Sequence, residues 1–160
     1  MSKFRFAFAI GALLVSTTSA FAEGLVSVML KDTGVTTDLS KSMGLGMAMN
    51  GDAKKAIMSI DISPKTVAHG KVKFFVTNKS KDVIHEMILS PVADVSKTLP
   101  YIDKDNKVDE EASIHLGEVS ELDPGKSGAL IVDLKPGKYI LYCNIAGHYM
   151  AGMWTTLDVK

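Results

Sequence analysis

This chain of 160 residues has a single cysteine, Cys143, and a single arginine, Arg5. One cysteine excludes an internal disulfide framework. Arg5 sits in the first few positions, so the rest of the chain has no guanidinium for bidentate phosphate clamping. Charge of one sign is also lacking, since 18 basic side chains balance 18 acidic ones. That balance excludes the basic face a nucleic-acid partner needs. After residue 22 no apolar run is long enough to cross a bilayer as a helix. Internal repeats are absent.

The first 22 residues read as a secretory signal. Lys3 and Arg5 precede an apolar stretch from Phe6 to Val15, and small residues close it at Ala20-Phe21-Ala22. The expected organisation is therefore a signal peptide over 1–22 and one domain over 23–160, a length that buries a core without staples. Removal of Lys3 and Arg5 takes the basic count from 18 to 16 against 18 acidic residues, a mature net charge of −2. Export places the protein outside the cytoplasm, in the periplasm if the source is a Gram-negative bacterium. In that setting a lone thiol is open to oxidation. Cys143 must then pair with another chain, react, or be held by a metal.

Seven segments alternate apolar and polar residues with a period near two and are rich in β-branched and aromatic side chains. They are Leu25 to Leu30, Ala56 to Ile62, Lys71 to Asn78, Asp82 to Ser90, Ser127 to Leu134, Lys138 to Asn144 and Met153 to Val159. Asp123-Pro124-Gly125 and Lys135-Pro136-Gly137 carry the Pro-then-Gly order of tight turns. The pattern predicts an all-β fold, an antiparallel sandwich or barrel. A short helix is expected near Val92 to Leu99. Two regions break the rhythm: a loop over 32–52 with Met43, Met47 and Met49 among glycines, and a long polar insertion over about 91–125.

The chemistry concentrates in Cys143-Asn-Ile-Ala-Gly-His148-Tyr-Met-Ala-Gly-Met153. A strand delivers Cys143, a loop with two glycines presents His148, and the next strand opens at Met153. A thiolate, an imidazole and a thioether thus fall within eleven residues. Soft sulfur donors with imidazole suit an ion cycling between Cu(I) and Cu(II), whereas zinc gains little from a thioether. The set needs a second histidine. His85 shares a strand face with Val83, Met87 and Leu89. On a core face it is costly unless its nitrogens are satisfied, as by metal on one side and a hydrogen bond on the other. Met150 is the rival of Met153 for the thioether position. His69, in a turn, and His115, in the insertion, read as surface histidines.

These residues resemble the cupredoxins, the plastocyanin and azurin family of mononuclear copper proteins. The resemblance runs from about Ile57 to Val159. His85 falls where the family takes its first histidine, and Cys143, His148 and Met153 follow in the family's order. The four-residue gap between Cys143 and His148 is closer to azurin and rusticyanin than to plastocyanin. The Asn78 to Met87 region, with methionines upstream, is similar to a group of exported bacterial cupredoxin-like copper proteins linked to copper handling or electron transfer. The resemblance implies a Greek-key β-sandwich or barrel of about seven to eight strands holding one copper ion.

Three functions follow from such a site. Electron transfer would use the His148 edge, where Ala146, Gly147, Tyr149, Met150 and Ala151 suggest an apolar surface for a redox partner. Copper carriage or sequestration would use the same site with a donor or acceptor protein, and Met43, Met47, Met49 and Met150 as auxiliary Cu(I) contacts. An enzyme is disfavoured, since four protein ligands leave no open position and only four histidines exist in all. A Cys–His nucleophile lacks a clear orienting partner. The expected state is a monomer.

Overall fold

The computed structural model describes residues 24–34 and 37–160. The expected signal segment, residues 1–22, lies outside the described residues. Eleven strands run as β1 (Gly24–Asp32), β2 (Met58–Ser63), β3 (Thr66–Val67), β4 (Gly70–Asn78), β5 (His85–Val92), β6 (Tyr101–Ile102), β7 (Lys107–Val108), β8 (Gly117–Leu122), β9 (Ser127–Leu134), β10 (Gly137–Tyr142) and β11 (Trp154–Val159). Three of these are only two residues long, which leaves eight of substance. One main sheet has the order β2-β1-β4-β9 and the other β3-β11-β10-β5-β8, while β6 and β7 pair alone as a small third sheet. Among the described residues no helix is long and apolar enough to cross a membrane.

Period-two alternation decides which side chains the sandwich buries. Val26, Val28 and Leu30 of β1 and Val72, Phe74 and Val76 of β4 point inward and are fully buried. The alternate positions face away from this core, among them the exposed Leu25 and Phe75. From the second sheet Met87, Leu89, Leu141 and Leu157, and from the connection between β10 and β11 Cys143 and Met153, join the same core. Truncating one such leucine to alanine costs roughly 2–5 kcal/mol, because the close-packed interior refills the space only partly.

Strand β10 is buried on both faces, which explains its nearly continuous apolar sequence. Leu141 faces the main core, while Ile140 and Tyr142 face a second cluster with Ile88, Val92, Leu99, Val108, Tyr149 and Met150. The cover on that outer face comes from the two regions that lacked a strand pattern. Met47 and Met49 pack there from the first, and Leu99, Tyr101 and Val108 from the second. The insertion over 91–125 also contributes β8, an antiparallel neighbour of β5. In β8 only Val119 is buried, so the apolar rhythm that marks the other strands is missing. The helix expected near Val92 to Leu99 does not form. The Asp94 carboxylate accepts from the Ser96 amide and hydroxyl, and the Lys97 amide donates to the Asp94 carbonyl. This local turn competes with helical bonding.

Candidate metal centre

Two chain segments meet at one end of the sandwich. The first is the connection from β4 to β5, pinned by buried Asn78. Its side-chain amide donates to the Val83 and Leu122 carbonyls, and its oxygen accepts from the Ser80 amide. His85 opens β5 and is fully buried. The ladder to β8 shifts register between His85 and Met87, with the extra residue on the β8 side, so that His85 pairs with Leu122 and Met87 with Val119.

The second segment is the loop from β10 to β11. Cys143 follows β10 directly, and its amide donates to the Met153 carbonyl at 3.1 Å, closing the loop. His148 leads into a single 3-10 turn over Tyr149–Ala151, ended by Gly152 in the left-handed conformation (φ 97°). Gly147 is obligatory for two reasons. Its φ is 84°, and a Cβ there would lie 2.7 Å from the Leu39 carbonyl oxygen.

His85, Cys143 and His148 converge so that one ligand atom of each lies within 4.8 Å of the others. The Nδ1 atoms of the two histidines are 3.3 Å apart, and His148 Nδ1 is 3.4 Å from Cys143 Sγ. The Glu86 amide donates to the sulfur at 3.5 Å. Beyond His85, the Asp32 carboxylate at the end of β1 lies 3.1 Å from Nε2. The Glu86 carboxylate accepts from the Asn144 amide at 2.9 Å, tying the histidine strand to the cysteine loop.

Burial governs the electrostatics. Desolvation pushes the Cys143 thiol up to about 12. It also lowers His148 to about 4, helped by the nearby His85, and holds His85 below its ordinary value despite the Asp32 carboxylate. Desolvation raises Glu86 as well. At Asp32 burial acts upward too, but hydrogen bonds from Ser80, His85 and Gly34 together outweigh it and leave the carboxyl below its usual range. Near neutral pH the cluster therefore holds a protonated thiol and two neutral imidazoles with lone pairs to offer.

The thioether candidates separate cleanly. Met153 is fully buried in the main core with Cys143, whereas Met150 packs in the second cluster. Met43 packs against the main core from the partly buried side, while Met47 and Met49 belong with the second cluster. Met47 is 2% exposed, and its amide donates to the Tyr149 hydroxyl at 2.9 Å. The structure thus divides these methionines between two cores. His69 and His115 are exposed and lie outside the cluster.

The apolar surface expected around His148 does not exist as a surface. Gly147, Tyr149, Met150 and Ala151 are buried, and only Ala146 is exposed. The reason is the cover. The Gly147 amide donates to the Asn106 carbonyl, the Asn106 side chain donates to the Leu39 carbonyl, and the Leu45 amide donates to the Met150 carbonyl. His148 itself is 4% exposed and lines a pocket of about 230 Å³ with Asp32, Leu39, Met58, Asp82 and Val83. Sequence reasoning missed Asp32 and Asn144. Asp32 ends a strand with no motif around it, and Asn144 sits beside Cys143 where its residue type marks no role, so only their three-dimensional partners reveal them.

The donor set fits one copper ion. It offers one thiolate and two imidazoles, with a buried thioether adjacent in the core, a combination that suits both copper valences. The two-sheet architecture with this cluster at one end is the cupredoxin fold. Rusticyanin from Thiobacillus ferrooxidans superposes with a TM-score of 0.53 at 16% identity, over 85% of this chain and 76% of that one. Reduced rusticyanin gives the same TM-score and identity, over 85% and 78%. An auracyanin from Roseiflexus castenholzii aligns at 15% identity and a TM-score of 0.49, over 87% and 98%. By sequence, the sulfocyanin (SoxE) domain family model matches residues 106–160, about the last third of the chain and the part that contains Cys143, His148 and Met153. No curated protein matches the sequence.

Proposed function

We propose that this chain is an exported, mononuclear copper protein that carries single electrons, with His85, Cys143, His148 and Met153 as its metal ligands. The observation that carries the reading is the buried convergence of two imidazole Nδ1 atoms and one thiol sulfur. The thiol and both imidazoles are uncharged in this site, and a metal ion gives those converging groups a common partner. Rusticyanin, which shares the fold, is a copper protein.

Bound there, copper would supply a one-electron couple between Cu(I) and Cu(II). The protein's contribution is to hold the ligands still. His85 is held by Asp32 at Nε2 and by its place at the start of β5, where it pairs with Leu122 of β8. Cys143 is anchored by its bond to Met153 and by the Glu86 amide at its sulfur. Asn144 fixes the loop to Val108 through two hydrogen bonds and to Glu110 through a third. A site so braced changes little between oxidation states, which favours fast electron exchange. Electrons would pass at His148, reached through its pocket, to a partner protein touching the mouth. The four-ligand set leaves no place for substrate, so the role is transfer rather than catalysis. Residues 1–22 would direct export to the periplasm and be removed, leaving 23–160 as a monomeric domain without a membrane span.

The test is the visible spectrum of the mature protein after addition of Cu(II). An intense thiolate-to-copper charge-transfer band is expected, and Cys143→Ser should abolish it. A band that survives in Cys143→Ser, or a wild type with only the faint colour of ordinary cupric complexes, would overturn the ligand assignment.

A further inference from the structure

The geometry points to Asp32 as the residue that sets the tautomer and the electronic character of His85, and through it the balance between Cu(II) and Cu(I). This inference rests on the copper reading above and deepens it.

Asp32 is the last residue of β1, and its side chain is only 8% exposed. Its Oδ2 lies 3.1 Å from His85 Nε2, and the imidazole is fully buried. Its Oδ1 accepts from the Gly34 amide at 2.7 Å. Two donors thus reach the two oxygens of one acid: Gly34 from the loop after β1, and His85 from the start of β5. Such an arrangement accommodates an ionised acceptor and leaves the side chain no freedom to turn away.

The consequence for His85 is specific. A neutral imidazole has one N–H, and an ionised carboxylate can only accept. The proton therefore resides on Nε2, and the lone pair resides on Nδ1. Nδ1 is the atom that faces His148 Nδ1 at 3.3 Å and shares the cluster with Cys143. Asp32 thereby presets the tautomer the metal site requires. A carboxylate also differs from a neutral acceptor in carrying a full negative charge next to the ring. It makes the imidazole a stronger donor, and it favours the more positively charged oxidised ion by direct attraction across a buried path. Asp32 is a positioning residue, since its own atoms reach His85 rather than the metal.

Two measurements test this. In the copper-free wild type, ¹⁵N shifts of the His85 ring are expected to show the proton on Nε2; a proton on Nδ1 would overturn the proposal, and this experiment needs no variant. In the loaded protein, Asp32→Asn keeps an acceptor for Nε2 and removes the charge. Its affinity ratio for Cu(II) over Cu(I) is expected to fall at least tenfold, equivalent to a midpoint rise of about 59 mV per tenfold for one electron. The charge-transfer band should be retained. Asp61→Asn, at an exposed pair with Lys31, is the control for loss of a surface charge. A midpoint in Asp32→Asn that moves no further than in Asp61→Asn would refute the charge effect. A wild type without the charge-transfer band would instead refute the copper reading, leaving the tautomer measurement to stand on its own.

Discussion

Loading copper at pH 6.5 should expel about one proton, and the number identifies which groups change. The Cys143 thiol, buried and raised to about 12, is ionised at that pH in only a few molecules per million. Coordination requires the thiolate, so one proton must leave. His148, lowered to about 4, already carries a free lone pair and releases almost none, and His85, also lowered, releases less than an ordinary imidazole would. Had the histidines kept their ordinary value near 6.5, each would add about half a proton, for a total near two. The same reasoning makes apparent affinity climb about tenfold per pH unit from pH 6 to 9, with a steeper slope only as His148 begins to protonate towards pH 4. Isothermal titration with Cu(I) in two buffers of different ionisation enthalpy gives the proton count directly. A count near zero would mean that the thiol is already ionised or does not bind. A count near two would refute the depressed histidine values and with them the dry character of the site.

Other perturbations test neighbouring parts of the structure. The copper-free protein should lose stability in acid: His148, at about 4 folded against 6.5 unfolded, contributes about 3 kcal/mol that is present above pH 6.5 and lost as pH falls towards 4. Urea midpoints at pH 7 and pH 4.5 would show it, and a flat profile would count against it. Met153→Leu should retain the charge-transfer band and raise the midpoint potential, while Met150→Leu, in the second cluster, should leave the potential in place; voltammetry of both variants decides between the thioethers. Asn144→Ala strips buried Val108 of partners for both its amide and its carbonyl and should cost roughly 2–4 kcal/mol by chemical denaturation. A loss below 1 kcal/mol would show that the tie is ornamental.

Much of this was legible in the sequence because the chemistry is local there. Cys143, His148 and Met153 lie on one loop between two strands whose alternation is unmistakable. His85 was legible because it is a polar residue on an apolar face, and the structure finds it fully buried. The cover over the site was not legible. Met47, Leu99 and Val108 pack on the outer face of β10, but each comes from a stretch with neither period two nor period 3.6, so nothing in the pattern announces a buried face. The exposed apolar rim expected at Tyr149 and Met150 failed for the same reason: small and apolar residues beside a ligand read alike whether they face solvent or an overlying loop. Asp32 shows a different limit, since a carboxylate at a strand end is ordinary until its partner 53 positions away is known.

Trp154, the sole tryptophan in the chain, stands beside Met153 and donates its indole N–H to the Leu45 carbonyl at 2.7 Å. One fluorophore thus sits at the junction of the ligand loop and the segment that covers it. With copper held as proposed, its emission would carry two signals at once: intensity would fall as metal binds at the neighbouring loop, and wavelength would shift if the covering segment lets water reach the ring. Loading and uncovering could then be timed separately without attaching a label.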